Sequence, residues 1–119
     1  MFEYNRPRRC DIWTVELEEA NGTHVQKGIR PALVIQNDVG NMHSPNTIVV
    51  TLTSAEKKEQ PTRFTIPAGV AGLLEDSIVA AENIITIGLE KLKGFKGTII
   101  NTKYEDMLNE ALKASLNIR

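Results

Sequence analysis

Hydrophobic and polar positions alternate early in the chain with a period of two, the spacing of a strand that buries one face. Over Asp11–Leu17, Ile12, Thr14 and Glu16 oppose Trp13, Val15 and Leu17. Polar Glu18–Gly28 follows and contains Asn21-Gly22, a strong turn signal. Arg30–Gln36 then runs almost continuously apolar, which predicts a strand covered on both faces, with Pro31 near its start where a missing N–H is tolerated. Asn37–Asn46, rich in Asn, Gly, Ser and Pro, reads as a loop. The mostly β-branched Thr47–Thr53 is a third strand, and Ser54–Gln60 a charged loop. Thr62–Ile66, Ser77–Ala81 and Asn83–Ile87 read as further strands, Leu89–Lys93 as a short turn, and Lys96–Ile100 as a closing strand.

The period changes only near the end. Thr102-Lys103-Tyr104-Glu105 matches the capping box, in which a hydroxyl and a carboxylate satisfy orphan amides at a helix start. Met107, Leu108, Ala111, Leu112 and Leu116 then share one helical face, which predicts a helix over Thr102–Leu116. The expected architecture is mainly β with a C-terminal helix: a small, strongly twisted β-barrel carrying one amphipathic helix.

Composition narrows this picture without redirecting it. At 119 residues and 41% hydrophobic content, the chain has material for one core, so residues 1–119 read as a single domain. Apolar runs such as Ala32–Ile35 fall far short of the roughly 20 residues a membrane helix needs. No apolar stretch follows Arg6, Arg8 and Arg9, so no signal peptide is expected. A lone Cys10 cannot form an internal disulfide, which fits a reducing, cytoplasmic setting. A net charge of −1 excludes a general polyanion-binding surface; any nucleic-acid site must be local.

Standard catalytic constellations are missing. There is no phosphate-binding glycine loop, no HExxH and no CxxC, and two histidines with one cysteine make a metal centre improbable. What remains is polar chemistry at strand ends. Arg30 opens the most apolar strand, Thr53 closes the third with Ser54 after it, and His24 lies in the loop before Arg30. Each also has a plain reading: an ion-paired arginine, a β-forming threonine, an exposed histidine.

The stretch Gly28-Ile29-Arg30-Pro31-Ala32-Leu33-Val34-Ile35-Gln36-Asn37-Asp38-Val39-Gly40-Asn41 shifts that balance. With Ser44-Pro45, Ile48-Val49-Val50 and Thr53 after it, it resembles the MazF/PemK toxins of bacterial toxin–antitoxin systems. Asp11–Leu17 is similar to that family's opening strand. Pro61-Thr62, Asp76-Ser77, Glu82 and Asn109-Glu110-Ala111-Leu112 match in order, so the resemblance spans about residues 9 to 118.

The resemblance implies an SH3-like barrel of the MazF/PemK/CcdB type, a homodimer, and cutting of single-stranded RNA without metal or cofactor. It also implies a cognate antitoxin as partner. The family's catalytic arginine carries over to Arg30 and its catalytic threonine to Thr53. Gly22-Thr23-His24 stands where many members have Gly-Ser-Glu, which makes His24 the candidate proton carrier. Lys27, Ser54, Lys57, Lys58, Arg63 and Asn83 are the candidate RNA contacts. Cys10 replaces the family's usual glycine, with packing as its expected role, and Ile85 stands where some relatives have arginine. The competing reading is a non-catalytic toxin-like module that binds either an antitoxin, as a catalytically silent relative, or a protein target, as the CcdB branch binds gyrase. That branch uses the end of its last helix, and the ending Asn117-Ile118-Arg119 lacks an aromatic tail.

Overall fold

The computed structural model describes residues 6–18, 28–54 and 60–119. In chain order these form β1 (Asp11–Leu17), β2 (Gly28–Val34), α1 (Asp38–His43), β3 (Asn46–Thr53), β4 (Arg63–Ile66) and β5 (Ser77–Gly88). A 3₁₀ turn (Leu89–Lys91), β6 (Leu92–Thr98) and α2 (Lys103–Leu116) complete the chain. All six strands join one sheet in the order β4-β5-β3-β2-β1-β6, each neighbour antiparallel.

Strand alternation divides the apolar side chains between the two faces of this sheet. Ile12, Leu33, Val50, Leu52, Phe64, Ile66 and Val79 pack with Leu108, Ala111 and Leu112 of α2. Trp13, Val15, Leu17, Ala32, Val34, Val49 and Ile87 form a second cluster on the opposite face. Each large side chain so buried contributes roughly 1.5–3 kcal/mol. On α2 the buried stripe is narrower than the sequence pattern implies, because Met107 and Leu116 are 38% and 52% exposed. Tyr104, one turn before Leu108, packs against the core instead.

The sheet is mainly β with a C-terminal helix, as expected, but hydrogen bonds do not close it into a barrel: β4 and β6 are its edges. Side-chain-free packing brings those edges together. Gly72, with φ +77°, lies against the Lys96 carbonyl of β6, and Gly97 lies against the Ala71 backbone. A Cβ at either glycine would collide with main chain, so the turn after β4 reaches β6 only because both positions lack one.

Three segments depart from the sequence expectation. Asn37–Asn46 holds the short helix α1, started by Asn37 accepting a hydrogen bond from Gly40 N at 2.8 Å. Six residues with only Asn41 buried leave no periodic apolar stripe to announce it. The two strands expected at Ser77–Ala81 and Asn83–Ile87 are one, β5. Val50 pairs with Ile84 but Leu52 with Val79, so the polar Glu82-Asn83 step is accommodated as a bulge that bends the strand. β6 begins at Leu92, earlier than expected, because Leu92, Gly94 and Phe95 pair with β1 across two register shifts.

Candidate functional site

The site is assembled by the register of β2 on β3. The β2–β3 ladder ends at Ala32 paired with Thr51, and Arg30 and Thr53 lie two residues beyond it on their strands. Pro31 confines the residue before it to extended backbone, which sets Arg30 in the strand. Arg30, Thr53 and Ser54 line one cleft of about 250 Å³. Its remaining polar wall is Glu75 and Ser77, from the approach to β5, and Lys96 of β6.

That wall is fixed by its own backbone contacts. Asp76 accepts a hydrogen bond from Ala68 N at 2.9 Å, and the Ser77 hydroxyl donates to the Glu75 carbonyl at 3.0 Å. Leu73 is buried beneath, while Leu74 stands 89% exposed at the rim. One cleft therefore holds a guanidinium, hydroxyls, a carboxylate and an ammonium. This set can grip a phosphodiester and exchange protons with it.

Of the residues singled out by sequence, the cleft unites Arg30, Thr53 and Ser54. Arg63 lies elsewhere, in a hollow with Gln60, Pro61, Phe64, Thr65 and Met107. Its guanidinium is engaged by Glu82, with Nε 2.6 Å from Oε2 and a further contact from Nη2. Partial desolvation pushes the Glu82 carboxyl up, but hydrogen bonds from Arg63, the backbone and Thr62 outweigh it and hold the group below its ordinary value. Asn83 is exposed at the β5 bulge and does not line the cleft. His24, Lys27, Lys57 and Lys58 lie outside the described residues.

Glu75 and Lys96 escaped the sequence reading. They are distant from Arg30 along the chain, and only the strand order brings them to it. The available hint was an exposed Leu-Glu-Asp step directly before a strand.

A second polar cluster occupies the opposite end of β2, and it is closed on itself. Asn41 is buried; its amide donates to the Gln36 carbonyl at 2.9 Å, and its Oδ1 accepts from the Thr47 hydroxyl at 2.6 Å and from Gln36 Nε2 at 3.0 Å. Asp38 accepts from Arg9 N at 2.7 Å, and Arg9 reaches the Ile35 carbonyl and Asn109 of α2. The Gln36-Asn37-Asp38 part of the motif thus ties the N-terminal segment and α2 to the sheet.

Cys10 precedes β1 with φ +79°, the left-handed region where glycine is at ease, which accounts for the position's preference. Its side chain is fully buried, and that burial pushes the thiol up to about 11, with Arg9 opposing the shift. The thiol therefore packs and does not react. Among the described residues, no three His, Cys, Asp or Glu side chains gather as a metal site, and no helix is long and apolar enough to cross a membrane.

Comparison with known proteins covers nearly the same span. A family model for PemK-like, MazF-like toxins of type II toxin–antitoxin systems matches residues 8–116. Endoribonuclease EndoA of Bacillus subtilis is 38% identical over 110 residues, covering 92% of this chain and 93% of that protein. Endoribonuclease MazF of Staphylococcus saprophyticus is 36% identical over 112 residues, covering 93% and 92%. In fold, the chain is similar to a mycobacterial endoribonuclease solved in complex with its cognate antitoxin, with TM-score 0.75 at 24% identity over 95% of this chain and 97% of that one.

Proposed function

The chain belongs to the family of PemK-like, MazF-like toxins of type II toxin–antitoxin systems, and we propose that it acts there as a metal-independent, sequence-specific endoribonuclease on single-stranded RNA. The observation that carries this reading is the cleft shared by Arg30, Thr53 and Ser54, three residues drawn from two different strand ends. Its named relatives are endoribonucleases over almost their full length.

In this reading the 2′-hydroxyl of the RNA attacks the adjacent phosphorus, and the transition state gathers extra negative charge on the non-bridging oxygens. Arg30 stabilises that charge with forked, charge-assisted hydrogen bonds in a site already organised by β2 and β3. The Thr53 hydroxyl donates to a non-bridging oxygen, and Ser54 extends the grip. A guanidinium stays protonated, so Arg30 holds the phosphate without moving protons. His24 is the proton carrier suggested by the loop motif. Lys27, Lys57, Lys58, Arg63 and Asn83 are the proposed contacts to flanking RNA, Arg63 after release from Glu82.

A cognate antitoxin, a homodimer and a cytoplasmic setting complete the proposal, each supported by family membership. The test is incubation of the purified chain with long single-stranded RNA in excess EDTA, with cut sites mapped by primer extension. Discrete cuts that disappear in Arg30→Ala and fall 10- to 100-fold in Thr53→Val support the reading; cuts that persist unchanged in both variants refute it.

A further inference from the structure

We propose that Glu75 is the general base of this site and that Lys96 supplies the proton to the leaving oxygen. The inference rests on the endoribonuclease reading above and assigns its two proton transfers to groups that line the cleft, in place of the His24 that the loop motif suggests. Cleavage by 2′-hydroxyl attack requires two proton transfers, one from the nucleophile and one to the departing 5′-oxygen. Arg30 cannot accept a proton at any useful pH, and the Thr53 and Ser54 hydroxyls are poor acids and bases near neutrality. Among the described residues, Glu75 is the one carboxylate lining the cleft, and Lys96 the one ammonium.

Their placement has a structural cause. The Asp76 carboxylate is committed to Ala68 N and the Ser77 hydroxyl to the Glu75 carbonyl, which fixes the backbone on either side of the Glu75 side chain. Lys96 is brought in by the glycine contacts between the turn after β4 and β6. The other charged side chains that line the cleft among the described residues are Arg30 from β2 and Lys96 from β6, both cationic.

The step balances as follows. The Glu75 carboxylate takes the proton of the 2′-hydroxyl, and the 2′-oxygen forms its bond to phosphorus. The bond from phosphorus to the 5′-oxygen breaks, and that oxygen takes a proton from the Lys96 ammonium. The products are a 2′,3′-cyclic phosphate and a 5′-hydroxyl, and exchange with water restores both side chains.

The experiment measures cleavage of a single-stranded RNA in EDTA by the full chain from pH 5 to 9. Wild type is compared with Glu75→Gln, Glu75→Asp, Lys96→Ala and His24→Ala, each checked for its thermal midpoint. Expected results are a fall in kcat of about 100-fold or more in Glu75→Gln with KM nearly unchanged, and loss of the rise in rate on the acid side. Glu75→Asp should retain an intermediate rate. An RNA with sulfur in place of the leaving 5′-oxygen, which departs without a proton, should restore Lys96→Ala but not Glu75→Gln.

Glu75→Gln cutting at the wild-type rate would overturn the assignment, as would an acid limb abolished by His24→Ala and kept by Glu75→Gln. A wild-type chain that cuts no RNA would instead remove the endoribonuclease reading on which the inference stands.

Discussion

The two ends of β2 carry equally polar residues to opposite effect. At the Arg30 end, polar side chains from β2, β3, the approach to β5 and β6 line an open cleft. At the other end, Gln36, Asn41 and Thr47 spend their donors and acceptors on one another, with Asn41 only 1% exposed. A single run of sequence, Arg30 to Asn41, thus supplies one wall of an open cleft and a buried, hydrogen-bonded joint. Polarity does not distinguish the two; what distinguishes them is that one set lines a cavity and the other is packed away.

The sharpest way to break that contrast is at Arg30. Arg30→Ala should lower RNA cleavage by about 1,000-fold, the scale of losing a preorganised charge-stabilising group, and shift the thermal midpoint less than Asn41→Ala does. Parallel cleavage and melting curves check both halves. Asn41→Ala should do the reverse. It strands the buried Thr47 hydroxyl and takes away the donor to the Gln36 carbonyl, so denaturant titration should show a loss of about 2–4 kcal/mol. Cleavage per folded molecule should stay within about twofold.

Much of this organisation was legible in the sequence, for a physical reason. β1, β3 and α2 are read almost to their ends because one face of each is continuously apolar and their period is unambiguous. Arg30 and Thr53 stand out in the sequence as polar groups at strand ends, but it is the resemblance to the MazF/PemK toxins that singles them out. α1 was invisible because its stability comes from Asn37 capping and the Asn41 network instead of an apolar stripe. The unity of β5 was hidden because a bulge tolerates Glu82-Asn83 where a flat strand would not. Glu75 and Lys96 could not be read at all: nothing local tells that β6 lies at one edge of the sheet and the turn after β4 reaches it.

Smaller effects sharpen the comparison at its margins. Cys10 sits beside the closed cluster, and its thiol keeps its proton up to about pH 11 in the folded chain, against about 9 for an ordinary thiol. The raised value means that the thiol's contribution is intact below pH 9 and declines as pH rises toward 11. Urea midpoints of wild type and Cys10→Ala should therefore converge across that window. Smallest of all is Glu82→Gln. The Arg63–Glu82 pair is partly exposed, so the change in stability should stay below about 1 kcal/mol. Because the Glu82 carboxyl is held below its ordinary value, what the pair contributes is present at neutral pH and lost as pH falls, which paired melting curves at acid and neutral pH would show.

The open edges of the sheet carry a consequence for how the protein behaves in a crowded solution. An uncovered strand edge is a template on which other chains can stack as cross-β structure. Here β4 is only four residues long, and β6 carries Lys93 and Lys96 with its backbone overlain by the glycine turn. Neither edge offers a long, flat, uncharged ladder, so the chain can accumulate without recruiting its own copies into fibrils. Neither edge thus favours a second copy that would lengthen the sheet.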